Sequence, residues 1–327
     1  MTQALYAPWP ETARRTWGWG AVGLMAAGYL VSSIPVLVGT IIYTIVLTVS
    51  SGETDPLAAQ RALNENTLTV LLPLMLLQFI AWAAMTLLWV KLFERRSLAT
   101  LGIEGRGFFG RYMLGLPLGV FLVVLVSAVA ALLGLGASSG AADSLGAMDV
   151  SRAITQAALI GYAGLFLGFL IQGGVEELVF RGWLMSALTA RWGKRWGVFV
   201  ASFAFALLHA HVFISGLMFG VLALSGIGLT GLVFSLTALW RRSIIEAAAA
   251  HGAFNAVAVI APTFALLASD PDQTIKTAVA QVFSSATGLA GADSVSLGPE
   301  TYAQLIAMGG LSALMLAGLV LRGRKSE

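Results

Sequence analysis

Long apolar runs recur along the chain, at roughly 17–50, 67–93, 111–136, 153–180, 196–212, 215–240, 244–269 and 303–322. A helix needs about 20 such residues to cross the hydrocarbon core. In oil, only helices and closed barrels satisfy their own backbone. Runs of this length read as helices, so the expected fold class is all-α: a polytopic integral membrane protein of about eight transmembrane helices. Composition agrees, since 58% of the 327 residues are hydrophobic and only 11% charged, against about 25% charged in soluble domains. No soluble-sized domain fits between the runs, so 1–327 reads as a single membrane domain. The N-terminus is mixed polar, and the first run is too long for a signal-peptide core. That run exceeds one crossing and contains Pro35, which predicts a tilted or kinked helix. The longest connection, 270–302, is rich in Ala, Ser, Gly and Asp and joins spans seven and eight, as either an ordered lid or a floppy loop.

The net charge of +3 suggests nucleic acid only until the charges are placed. Basic and acidic connections alternate. Arg14 and Arg15 precede span one; Glu53, Asp55 and Glu65, against Arg61, follow it. Lys91, Arg95, Arg96, Arg106 and Arg111 come next, then Asp143 and Asp149 with Arg152. Arg191, Lys194 and Arg195 follow span four, and Arg241 and Arg242 follow span six. Asp270, Asp272, Asp293 and Glu300, with only Lys276, lie after span seven, and Arg322, Arg324 and Lys325 come last. The positive-inside rule then gives an even span count, with both termini cytoplasmic. The expected setting is a cell membrane, and the alanine- and glycine-rich spans suggest a bacterial one. The basic character is topological, so the expected partners are membrane lipid and a peptide or membrane-protein substrate, with no nucleic acid. The chain has no cysteine, hence no disulfide framework and no thiolate metal site.

An ionisable side chain at mid-membrane costs about 2.5–3.5 kcal/mol on insertion scales and is a functional candidate by default. Here such residues cluster. Glu176 and Glu177 end span four, His209 lies in span five with His211 after it, and His251 and Asn255 lie in span seven. Residues four apart share a helix face. That pairs Glu177 with Arg181, Phe205 with His209, and His251 with Asn255, while Glu176 turns about 100° from Glu177. His211 reads as a solvated interfacial residue. Ser243 and Glu246 read as a capping box opening span seven. A carboxylate, two imidazoles and a carboxamide in one wet pocket suit water activation at a carbonyl. A desolvated glutamate serves as base, a histidine shares the water's proton, and neutral donors meet the oxyanion. No G-x-S-x-G nucleophile and no H-E-x-x-H zinc helix is present. One tension remains. From Trp196, His209 lies about 20 Å along its helix, whereas His251 lies only about 10 Å from the start of span seven. Either tilt or a late start of span seven has to absorb the difference.

Taken in order, Glu176-Glu177-x-x-x-Arg181, Phe205-x-x-x-His209 and His251-x-x-x-Asn255 resemble the motifs of the CPBP intramembrane protease family. That family holds CAAX prenyl endopeptidases and bacteriocin-processing or immunity proteins. The resemblance covers about 153–267, the motif-bearing catalytic core. It implies an intramembrane endopeptidase, glutamic and once described as metallo-, with substrates that in some members are prenylated. Carried over residue by residue, it gives Glu176 as base, His209 as its water partner and His251 with Asn255 as the oxyanion pair, with Glu177, Arg181 and Phe205 supporting. No cofactor is certain. Two glutamates and two histidines could hold Zn²⁺, yet no ligand pair has the usual zinc spacing. Two other classes stand beside this reading: a transporter with an intramembrane polar site, and a catalytically silent scaffold or immunity protein.

Overall fold

The protein was analysed as a computed structural model, which describes residues 4–52, 54–133, 148–286 and 299–324. Among the described residues, seven apolar helical stretches are long enough to cross a membrane. One of them, Gln156–Leu207, has 52 residues, about 78 Å at 1.5 Å per residue and twice the membrane's need. It turns at Gly193, whose φ of 81° falls in the left-handed region that glycine adopts without penalty. The stretch therefore accounts for two crossings, and the all-α polytopic architecture with about eight spans stands. Gly18–Ser51, of 34 residues, bends as expected. Its first helix ends at Ser32 and the second, Ile34–Ser51, carries Pro35 in its first turn, where a missing N–H disturbs no hydrogen bond.

The connections sort into two ends. At one end, the N-terminal segment, the loops near 94–102 and the turn at 242–244 are tied together. Arg14 N–H donates to Glu94 O at 2.9 Å, Ala7 N–H to Ala99 O at 3.4 Å, and Ile244 N–H to Gly102 O at 3.2 Å. At the other end, Asp149 N–H donates to Ala268 O at 2.9 Å, Arg152 bonds Pro271 O, and the helix Pro56–Glu65 packs on the helix Ile275–Ala286. The first end gathers loops rich in Arg and Lys, the second loops rich in Asp. The Ile275–Ala286 helix occupies the first half of the long connection and buries Val279 against Leu165 and Phe169. The remainder, 287–298, lies outside the described residues.

The helix that ends in the two glutamates, Gln156–Glu177, starts on a side-chain cap: Thr155 Oγ1 accepts from Ala158 N–H at 3.3 Å. It passes without a break into a π turn, Leu178–Leu184. Such wide turns recur at functional sites. The histidine helix, Ile245–Ser269, lies against it. Close approach is possible because glycine faces glycine. A Cβ on Gly173 would sit 2.5 Å from Gly252 N, and one on Gly252 would sit 2.7 Å from Leu170 Cα. On its other side, the histidine helix meets Gly115 and Gly119 of the helix Phe108–Leu132, where a Cβ would strike the carbonyls of Glu246 and Ala250. Small residues at such seams let backbones approach in lipid.

One local expectation is corrected. Ser243 and Glu246 do not form a capping box. The residue before the histidine helix is Ile244, with no side-chain cap. Ser243 Oγ instead accepts from Ile245 N–H at 3.1 Å and donates to Gly102 O at 3.1 Å. Glu246 Oε1 is drawn to Arg241 Nε at 3.0 Å and Arg111 Nε at 3.3 Å. Two guanidinium groups outbid a backbone N–H for a nearly buried carboxylate.

Candidate active site

Glu176 and Glu177 are both buried, at 6% and 0% exposure, and so is His251, at 3%. The imidazole lies between the two carboxylates. Its Nδ1 is 2.9 Å from Glu177 Oε1, and its Nε2 is 3.4 Å from Glu176 Oε2. The first contact has hydrogen-bond geometry. The second does not, so Glu176 Oε2 is buried without a hydrogen-bond partner. Its other oxygen accepts from Gln172 Nε2 at 3.3 Å, one helical turn back.

Glu177 is held more tightly. The same Oε1 that meets His251 lies 2.8 Å from Arg181 Nη1, in a pair fully withdrawn from solvent. Arg181 is itself caged. Its Nε donates to Ser235 Oγ at 3.1 Å, its Nη2 donates to Gly231 O at 2.5 Å, and Ser202 Oγ shares a hydrogen bond with Ser235 at 2.9 Å. The Phe205 ring lies 4.7 Å from the guanidinium carbon, within cation–π range. A buried charge is tolerable only when paired and hydrogen-bonded, and Arg181 meets both conditions. The result is one chain of contacts: Ser202, Ser235, Arg181, Glu177, His251, Glu176.

His209 and Asn255 stand at the border of this group. His209 is half-buried at the end of its helix, with Nδ1 3.0 Å from Phe205 O. Its ring centre is 5.0 Å from that of Phe205, and the His251 ring is 5.6 Å from Phe205. Phe205 therefore separates the two imidazoles, and among the described residues no hydrogen bond joins His209 to either glutamate. Asn255 is half-buried, one turn beyond His251. His211 is exposed. The opening residues of the histidine helix, Ile245–Ala250, are buried, and two turns in the His251 ring comes to lie beside that of Phe205.

An apolar cavity of about 260 Å³ is lined by Leu170, Val175, Leu178, Tyr112, Ile245 and Ala248, with neither glutamate in its wall. Val175 and Leu178 flank the two carboxylates in sequence, so the cavity and the polar cluster share one stretch of helix.

A second buried ion cluster escaped the sequence reading. Glu94 and Arg96 are withdrawn from solvent and 2.6 Å apart. Glu94 also accepts from Thr16 Oγ1 at 2.6 Å and Trp183 Nε1 at 3.2 Å. Arg96 donates to Ser186 Oγ at 3.0 Å and lies 3.9 Å over the Trp9 ring. Burial lowers the pKa of the Arg96 guanidinium, and the charge of Glu94 pulls it back up. In the sequence these residues sit in a basic loop and look like topology markers; only the fold shows that one carboxylate among them is buried. Gln172 was legible, four residues before Glu176. Ser202, Gly231 and Ser235 carried no signal, because a small residue in an apolar helix is ordinarily packing.

The donor set bears on metal. Glu177 Oε1 and His251 Nδ1 are committed to each other, which leaves Glu176, His251 Nε2 and Glu177 Oε2, itself buried without a hydrogen-bond partner. Among the described residues no group of three or more His, Asp or Glu is arranged to hold a metal ion. The residues present therefore do not fit the usual Zn²⁺ site of three protein ligands.

The fold and site together define a multi-pass helical membrane protein with a Glu–His cluster buried inside the bundle. Residues 157–257 match the type II CAAX prenyl endopeptidase Rce1-like family, a family of membrane proteases that contains all three motifs' positions within the matched segment. The resemblance read from those motifs is thus borne out. No curated protein and no solved structure matches the chain.

Proposed function

We propose that the protein is an intramembrane endopeptidase that hydrolyses a peptide bond with water activated between Glu176 and His251. The observation that carries this is the buried, unpartnered Glu176 Oε2 facing His251 Nε2 at 3.4 Å. A neutral imidazole carries one proton. Glu177, clamped by Arg181, favours that proton on Nδ1, a tautomer assigned from the hydrogen-bond pattern. Nε2 then presents a lone pair to a carboxylate oxygen, and two acceptors at that distance need a donor between them. A water giving one O–H to each satisfies both, and its own lone pair is left for a substrate carbonyl. Attack forms the C–O bond while the water's proton passes to Glu176. The same proton then goes to the leaving nitrogen as the C–N bond breaks. Asn255, one turn beyond His251, would donate to the tetrahedral oxyanion, at roughly 2.7–4 kcal/mol for such a donor. His209 spends its Nδ1–H on Phe205 O, so it would serve as a second donor only as an imidazolium. This departs from the family carry-over: His251, rather than His209, attends the water.

The apolar cavity lined by Val175 and Leu178, on the helix that carries the glutamates, supports a substrate with a hydrophobic or lipid-bearing segment, in keeping with the matched family. The test is a quenched fluorescent peptide bearing an S-farnesyl cysteine three residues from its C-terminus, alongside its unmodified counterpart. Purified wild-type protein should cleave the farnesylated peptide. Glu176→Gln keeps the shape and removes the base, so its rate should fall at least 10²-fold. Normal turnover by the folded variant overturns the assignment. Cleavage of neither peptide, with Glu176-dependent ion flux in vesicles, would favour a transporter.

A further inference from the structure

The N-terminal segment ahead of the first span reaches into the site. Tyr6 is 3% exposed, and its hydroxyl donates to Arg181 O at 2.9 Å. Arg181 O belongs to the π turn Leu178–Leu184. Widened helical turns leave backbone groups poorly served by the regular ladder, and a buried carbonyl needs a partner. The phenol is fixed in turn. Its ring lies against Gly102, where a Cβ would be 3.0 Å away. Arg242 Nη2 donates to Tyr6 O at 3.4 Å. Further along the segment, Trp9 sits under Arg96, and Thr16 donates to Glu94. The strap is therefore anchored at both ends to the basic face of the bundle.

We propose that Tyr6 is a positioning residue for catalysis: it fixes the main chain at Arg181 and thereby the geometry of Arg181, Glu177 and His251. This rests on the peptidase reading above. The path is short. Tyr6 holds the Arg181 carbonyl, the Arg181 guanidinium holds Glu177 Oε1 at 2.8 Å, and that oxygen holds His251 Nδ1 at 2.9 Å. A shift at Arg181 moves the carboxylate that sets which imidazole nitrogen carries the proton. Burial, reinforced by the Glu177 charge, raises the phenol's pKa, so it remains a donor throughout the working pH range.

The test uses Tyr6→Phe in the full chain, with Tyr43→Phe as a matched control. Tyr43 also donates to a main-chain carbonyl, Ala62 O at 3.2 Å, but at the opposite end of the bundle. With the farnesylated quenched peptide, Tyr6→Phe should lower kcat about tenfold, the loss of roughly one well-made hydrogen bond, with KM within twofold. Its kcat–pH profile should differ from that of the wild type, because the contact between Glu177 and His251 is displaced. Tyr43→Phe should match wild type. Unchanged kcat and pH profile in Tyr6→Phe overturn the proposal, even if the protein melts earlier. Hydrogen exchange decides independently of turnover. Amides of 178–186 should exchange faster in Tyr6→Phe, with 217–241 unaffected. If the wild type cleaves nothing, the peptidase reading falls while exchange still reports on the strap; unchanged exchange at 178–186 overturns it.

Discussion

At the residue scale the site is a set of charges kept in oil by mutual contact. Breaking a buried pair by removing one partner leaves an uncompensated charge, which costs about 3–5 kcal/mol. Arg181→Ala should therefore destabilise the protein by that amount, read as thermal unfolding in detergent, because Glu177 loses its 2.8 Å partner. Glu177→Gln in the Arg181→Met background should recover part of the loss by removing both charges; no recovery would show that the pair is not coupled. Glu177→Gln alone should slow cleavage without abolishing it, since the water-facing pair of Glu176 and His251 Nε2 survives. Chelator has a defined expectation too. Among the described residues no group of three or more His, Asp or Glu is arranged to hold a metal ion, so cleavage should be unchanged in excess EDTA. Loss of activity with chelator, and its return with Zn²⁺, would place a metal between Glu176 and His251.

At the element scale the site depends on how closely two helices approach. Gly252→Ala puts a methyl 2.7 Å from Leu170 Cα, a backbone atom that cannot rotate away. Overpacking of this kind costs about 1–3 kcal/mol. Because His251 is the adjacent residue, Gly252→Ala should also cut cleavage more than it lowers the melting temperature, whereas the same change at Gly164, which faces open space, should do neither. The helix faces were legible in sequence because four-residue spacing fixes them: Glu177 does meet Arg181, and Phe205 does lie beside His209, though the two rings are tilted by 56° rather than stacked. Heights were not legible. Spacing places residues along one helix, whereas the turn that opens the histidine helix is set by Ser243 and Ile244 bonding to Gly102 O across the chain. Hence His251, and not His209, comes to rest against Glu176. Glu177 was expected to turn from the cavity toward Arg181, and it does reach Arg181. The same oxygen also serves His251, a double duty that no single-helix projection contains. Tyr6 was invisible for a related reason, as its partner lies 175 positions away.

At the scale of the whole molecule, charge and packing describe the same two ends. The loops that carry Arg95, Arg96, Arg191 and Arg242 converge with the N-terminal segment: Arg191 donates to the carbonyls of Arg15 and Thr16, and Arg242 to that of Tyr6. The opposite end joins Asp149 to Ala268 and brings the helix Pro56–Glu65 against Ile275–Ala286. Long-range contacts thus reproduce the alternation of basic and acidic loops, though no charge rule enters a hydrogen bond between backbone groups. The positive-inside rule predicts that basic loops short enough to be governed by charge stay in the cytoplasm, which would put the Tyr6 strap and the nearby glutamates in the cytoplasmic half of the bundle. A substrate anchored to the inner leaflet would then reach them without crossing the membrane. Reporter fusions at residue 1 and after residue 327 should both read cytoplasm. A fusion in the acidic connection after Ser269 should read the opposite side. If the N-terminal reporter were found outside, the strap and its contacts to Arg181 would face away from the cytoplasm, and the route proposed for the substrate would fail with the topology.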